Sequence, residues 1–276
     1  MADPNQRIAV STWSLHRYLG TIYPHDLTTD AIGDGDDTYG EGEESLLGLP
    51  SVLANHGYNR LELVSFHLRS RDPVYLGELR DQLRVSGVTL QTLLIDAGDM
   101  TDPVHGERDT RWIAGWVDVA NALGAENARI IAGKQRPTPQ TIARSVAGFK
   151  ELLAVNAGSP LKLFTENWFD LLSTPDAVHE LLDRLEGQVG LLADFGNWTG
   201  PDKYEGLKSI FPRAALCHAK ASFAHGQLDE ADYGLCVAAA EEAAYVGPYT
   251  LIFDADHPSE WQGLALERDF IFSRLG

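Results

Sequence analysis

Apolar and polar positions along this chain alternate in blocks rather than residue by residue. Eight short runs are nearly continuous in apolar residues: RIAVST (7–12), RLELVSF (60–66), VTLQTLLID (88–96), ARII (128–131), LKLFTE (161–166), VGLLAD (189–194), AALCH (214–218) and YTLIFD (249–254). Such runs mark strands covered on both faces, the pattern of a parallel sheet. The segments between them carry the helical period. In 105–124, Trp112, Ile113, Trp116, Val117, Ala120 and Leu123 share one helical face. TPQTIARSVAGFKELLA (138–154) and STPDAVHELLDRL (173–185) each offer a threonine N-cap followed by proline at the first helical position. Segments 43–56, 72–86, 201–210, 229–244 and 259–275 are also predicted to be helical.

Eight strands alternating with eight helices predict an α/β protein, a single-domain (β/α)8 TIM barrel spanning residues 1–276, with an open parallel sheet as the alternative. The first connection is long. Its stretch at about 20–43 includes GDGDDTYGEG (33–42), rich in glycine and acid. It fits neither the dinucleotide fingerprint nor a phosphate-binding loop, and it lacks the register of a calcium loop. A solvated loop is the plain expectation, and a lid over the barrel mouth, with Trp13, His16 and Tyr23 beside the substrate, is the functional one.

Charge narrows the partners. Forty acidic against 22 basic side chains give a net charge of −18, which would repel a phosphate backbone, so no nucleic-acid partner is expected. Two cysteines do not form a disulfide framework, the start MADPNQRIAV lacks the features of a secretory leader, and no apolar run approaches the ~20 residues of a membrane span. A cytoplasmic protein with no membrane partner is the expectation.

In a barrel the chemistry sits at the C-terminal ends of the strands. Four successive strands end in Glu166, Asp194, His218 and Asp254, spaced 28, 24 and 36 residues apart, about one βα unit each. Alternation places Phe164 with Glu166, Leu192 with Asp194, Leu216 with His218 and Ile252 with Asp254 on shared faces, and turns Cys217 away. Singly, each acid is explained as a turn former or helix cap. Together, three carboxylates and an imidazole in one mouth repel one another unless a cation sits among them. The expected cofactor is one divalent metal ion, with Mn²⁺, Mg²⁺, Co²⁺ or Zn²⁺ all compatible with such ligands.

At these residues the sequence resembles the xylose-isomerase-like TIM-barrel superfamily of sugar phosphate isomerases and epimerases, most sharply in TENW, LLADFGNW, CHAKA and GPYTLIFDAD. The resemblance implies metal ligation by Glu166, Asp194, His218 and Asp254, with Asp256 or His257 as other candidates on the last strand. It implies that Glu166 acts as base, that Asp254 returns the proton from the opposite face, and that Lys220 polarises a substrate oxygen. Many ketose epimerases of the family carry glutamate at the fourth ligand and a histidine three residues after the aspartate, where this chain has Asp254 and Asn197.

Further candidate substrate contacts are Glu62 and His67 at strand two, Asp96 at the end of strand three, Arg129 (with Lys134) around strand four, Asn197, and the aromatic residues Trp13, Trp168, Phe169 and Trp198. Arg129 or Lys134 is a candidate for a phosphate or carboxylate.

The implied substrate is a small sugar or polyol, and association into a homo-oligomer follows by analogy. Isomerase or epimerase chemistry through an enediolate is the first reading. A dehydratase of inosose-like or dehydroshikimate-like compounds, an apurinic-site endonuclease and a non-catalytic barrel are the alternatives.

Overall fold

The computed structural model describes residues 7–274. Eight strands, β1 Ile8–Ser11, β2 Arg60–Val64, β3 Thr89–Ile95, β4 Asn127–Ile130, β5 Lys162–Glu166, β6 Gly190–Asp194, β7 Ala214–Lys220 and β8 Tyr249–Ile252, close into one barrel in sequential order, β8 pairing back to β1. Every pairing in the barrel is parallel. Eight helices alternate with these strands, α1 Leu49–Asn55, α2 Pro73–Ser86, α3 Gly106–Leu123, α4 Pro139–Val155, α5 Pro175–Arg184, α6 Lys203–Ile210, α7 Glu230–Glu242 and α8 Glu260–Arg274, and a single helical turn, His16–Leu19, follows β1. The expected (β/α)8 barrel is therefore the observed fold, and the open sheet is not.

Local chemistry sets the helix starts. Asp72, Thr138 and Thr174 each accept a hydrogen bond from a first-turn amide, and each is followed by a proline whose missing N–H loses no helical bond. One helix is shorter than expected. The segment 43–56 becomes helical only at Leu49, because Pro50 belongs in a first turn and a start at residue 43 would have buried it mid-helix.

The first connection is partly docked on the barrel. Its residues His25–Asp26 and Ala31–Ile32 form a two-stranded antiparallel ribbon, and Ile22 bridges Asp36. The His25 ring packs 4.6 Å from that of Trp116 on α3, and Arg71 holds Asp30 at 3.0 Å. The loop closes where Gly20 and Gly42 touch backbone to backbone, an approach that a β-carbon on either would block. A second ribbon, Phe223–Ala224 with Gln227–Leu228, follows β7.

Inside the barrel the inward side chains form layers. Phe164, Leu192 and Leu216 pack together as an apolar plug, each two residues before Glu166, Asp194 and His218 on its strand. Across the barrel the equivalent space is polar: Gln91 Nε2 donates to Glu62 Oε1 at 2.9 Å and to Thr250 Oγ1 at 3.0 Å, and Thr92 Oγ1 donates to the same Glu62 oxygen at 2.9 Å. The plug fixes the floor of the site, and the polar layer fixes one residue beside it.

Candidate active site

Glu166, Asp194 and His218 meet at the C-terminal end of the barrel. Each offers one ligand atom, and the three atoms lie within 4.8 Å of one another. His218 Nδ1 is 3.3 Å from Asp194 Oδ2 and 3.5 Å from Glu166 Oε1. Ligands bonded at about 2.1 Å to one ion lie within roughly 4 Å of each other, and both His218 distances meet that limit. All three side chains are buried.

Each is oriented by neighbouring groups. Asp194 Oδ1 accepts the backbone N–H groups of Gly196 and Asn197, the latter at 2.8 Å, so Oδ2 is the oxygen turned to the cavity. His218 donates Nε2–H to Glu62 Oε2 at 2.7 Å, which leaves the Nδ1 lone pair facing two carboxylates. Glu166 is gripped on both oxygens: Asn197 Nδ2 donates to Oε1 at 2.6 Å, and Arg129 Nε sits 2.9 Å from Oε2.

Three electron-rich atoms facing one another call for a positive charge. Burial by itself would depress the His218 pKa, but the charges of Glu62 and Glu166 outweigh it and drive it well above the ordinary imidazole value. The donor set, two carboxylates and one imidazole with oriented partners, fits a divalent ion.

The match to the xylose isomerase-like TIM barrel family model runs from residue 50 to residue 268. The chain belongs to that family. No curated protein matches it by sequence at a significant level. Among solved structures, a xylose isomerase-like TIM barrel protein from Mycobacterium smegmatis in complex with magnesium is 16% identical over 100% of both chains, with a TM-score of 0.69. D-allulose 3-epimerase from Methylomonas sp., in complex with D-allulose, is 15% identical over 97% of this chain and 96% of its own, with a TM-score of 0.68. An L-ribulose 3-epimerase is 14% identical over 98% and 94%, with a TM-score of 0.70. At these identities the likeness is one of fold.

Around the three ligands, this xylose isomerase-like barrel opens a cavity of about 130 Å³. At about 30 Å³ per water that is room for roughly four waters, enough for the reacting end of a small ligand. Trp13, Asp96, Arg129, Trp168, Asn197 and Lys220 line it. Arg129 bridges Glu166 and Asp96, reaching the latter at 2.6 Å, and its guanidinium lies 5.1 Å from the centre of the Trp168 ring.

Other expected site residues lie elsewhere. Asp254 is not among the converging ligands. The ladder pairs Thr250 with His218 and Ile252 with Lys220, so the strand is over before residue 254, and Ile252 is the residue of β8 that lines the cavity. Asp254 is part-exposed and accepts from Lys220 Nζ at 2.9 Å; burial pushes its pKa up, but Lys220 wins and holds it below the usual range. Asp256 and His257 are exposed, and Asp256 pairs with Arg17.

Glu62 is fully buried under the cavity with both oxygens engaged, so it orients His218 rather than touching substrate. His16 stacks on Tyr39 with ring centres 4.0 Å apart. His67 sits behind β1, its Nδ1 2.9 Å from Thr12 Oγ1, and burial pushes its pKa down to about 3. It faces a separate recess shared with Tyr23 and Tyr75. Trp198 is a packing residue that donates Nε1–H to the Leu172 carbonyl. Lys134 and Phe169 stack on each other, 5.1 Å from ammonium to ring centre. Cys217 is a buried free thiol outside the ligand set.

Sequence reasoning missed the apolar lining, Val64, Leu94 and Ile252, since each reads as ordinary strand filling. It also missed Gln91. Two adjacent polar residues, Gln91 and Thr92, inside an otherwise apolar run were the available signal for a polar layer.

Proposed function

We propose that this protein is an isomerase or epimerase of a sugar or sugar derivative, using one divalent cation held by Glu166, Asp194 and His218. The observation that carries the reading is the convergence of those three ligating atoms in a cavity at the C-terminal mouth of the barrel. The likeness in fold to D-allulose and L-ribulose 3-epimerases supports it.

A divalent ion bound there would supply Lewis acidity towards a carbonyl and its neighbouring hydroxyl. The chain supplies the rest. Glu166 is the base that removes the carbon-bound proton, with Arg129 and Asn197 fixing the direction of its carboxylate. Glu62 sets the tautomer and tilt of His218. Lys220 reaches the cavity with an ammonium that can donate to a substrate oxygen, and Asp254 steadies it from outside. Trp13 and Trp168 offer flat apolar surfaces to C–H faces.

Lys220 also favours a second reading. An ammonium beside a departing hydroxyl would carry the same deprotonation on to loss of water, giving a dehydratase.

Incubation with a panel of ketoses, aldoses and inososes in D₂O, with Mn²⁺, Mg²⁺, Co²⁺ or Zn²⁺ supplied in turn, tests both readings. Deuterium in a rearranged product supports isomerisation, and loss of water supports the lyase. Glu166→Gln should abolish either activity; exchange at undiminished rate in that variant would remove Glu166 from the reaction.

A further inference from the structure

Asn167 follows Glu166 directly, and its side chain is spent on the next strand. The β5–β6 ladder ends with Glu166 opposite Leu192, two residues short of Asp194. There the backbone leaves the sheet, since the Trp168 N–H turns back to the Glu166 carbonyl at 2.7 Å. The Asn167 amide supplies the missing rung. Its Oδ1 accepts the Asp194 N–H at 2.7 Å, and its Nδ2 donates to the Asp194 carbonyl at 3.1 Å. Both residues are buried, so both Asp194 backbone groups depend on this one side chain for partners.

A second contact runs the other way. Asn197, three residues after Asp194, donates Nδ2–H to Glu166 Oε1 at 2.6 Å. Asn167 thus ties the end of β5 to the Asp194 backbone, while Asn197 ties the turn after β6 to the Glu166 carboxylate. The two strand ends are linked reciprocally where backbone pairing between them has already stopped. On its other edge Asp194 still pairs with His218. The Asn167 amide therefore completes a continuous row from Glu166 through Asp194 to His218, with a donor and an acceptor set side by side as in a peptide group.

We propose that Asn167 is a positioning residue that fixes the gap between Glu166 and Asp194 and thereby gives the site its preference for small divalent cations over large ones. The proposal rests on the cation-dependent reading above and names the residue that tunes it. Oxygen ligands sit at about 2.0–2.1 Å from Mg²⁺ and at about 2.3–2.6 Å from Ca²⁺, so discrimination between them depends on ligands that cannot spread. Asn167 holds the Asp194 backbone from which one of the carboxylates projects. Without it, β6 can move away from β5 beyond Leu192, and the site can widen to suit the larger ion.

Titration calorimetry of the full chain with Mg²⁺ and with Ca²⁺ gives the ratio of the two Kd values without reference to turnover. The parent should favour Mg²⁺. Asn167→Ala should weaken Mg²⁺ binding by about 10- to 100-fold, the usual effect of removing a group that orients a ligand, and Ca²⁺ binding by much less. Asn167→Gln keeps both amide groups on a longer stem and should shift the ratio in the same direction. A merely structural loss would weaken both ions alike, and circular dichroism identifies a variant that has lost its fold. In the parent itself, amide hydrogen exchange at Asp194 should be as slow as at its paired neighbours in β6. An unchanged ratio in the folded variants, a parent that favours Ca²⁺, or rapid exchange at Asp194 overturns this inference and leaves the epimerase or isomerase reading standing. Binding of neither ion, nor of Mn²⁺, Co²⁺ or Zn²⁺, by the parent removes the cation from that reading and this inference with it.

Discussion

Glu62 and His218 meet edge to edge: the carboxylate oxygen Oε2 lies 2.7 Å from Nε2, on the side of the imidazole away from Asp194 and Glu166. The two residues are 156 positions apart in sequence, and the barrel closes them into one unit. A carboxylate behind a ligating histidine fixes the ring and raises its basicity. Glu62→Ala should therefore weaken divalent-cation binding by about 10- to 100-fold, and Glu62→Gln, which keeps an acceptor oxygen, by less. Titration calorimetry with Mn²⁺ measures both, and unchanged affinity in the alanine variant would detach Glu62 from the site.

Arg129 is a structural counter-charge as well as a cavity residue. Only 2% exposed, it lies between Asp96 and Glu166 and neutralises both where water cannot. Removing one member of such a buried set leaves the others uncompensated. Arg129→Met should cost about 3–5 kcal/mol in urea unfolding of the metal-free protein, and part of that should return in Arg129→Met/Asp96→Leu. A single variant as stable as the parent would show that the carboxylates are solvated or protonated instead.

Asp194 lets cation binding be separated from folding. Its Oδ1 is committed to the turn amides and its Oδ2 faces the other ligands. Asp194→Asn can keep the first oxygen and loses the second as an anionic ligand. The parent protein should gain about 2.7 kcal/mol at an ion concentration 100 times Kd. The variant should gain almost none, with its metal-free stability close to that of the parent. Thermal melts with and without Mn²⁺ decide this, and an undiminished gain in the variant would place the ion elsewhere.

How much of this was legible beforehand depended on how local the determining interaction is. The eight strands could be read because a strand buried on both faces must be apolar throughout, and the helices because Asp72, Thr138 and Thr174 announce their own caps. Glu166, Asp194 and His218 were legible because each ends its strand in step with alternation. Asp254 was misplaced for the complementary reason: the apolar run continues to Phe253, but pairing stops at Ile252, and past the last paired residue alternation no longer fixes direction. The part of Glu62 could not be read at all. Whether a buried glutamate meets substrate or the back of a histidine is set by a partner 156 residues away.

Glu267 offers a pH dependence that lies away from the cavity. It is fully buried on α8, and neither carboxylate oxygen makes a well-formed hydrogen bond. Burial drives its pKa well above the ordinary carboxyl value, against weaker opposing pulls from the Ile252 backbone and the Lys220 charge. The folded protein thus keeps a proton that the unfolded chain releases above the usual glutamate pKa of about 4.3. Its contribution is most favourable below that value and declines as pH rises towards the folded-state pKa. Glu267→Met, which fills similar space without a polar group, should stabilise the protein by about 1–3 kcal/mol at neutral pH and by less at pH ~4.5. Urea unfolding of both proteins across that range gives the difference directly. A gain of the same size at every pH would mean that the carboxyl does not titrate differently on folding, and a loss at neutral pH would mean that it has a partner worth more than its burial costs.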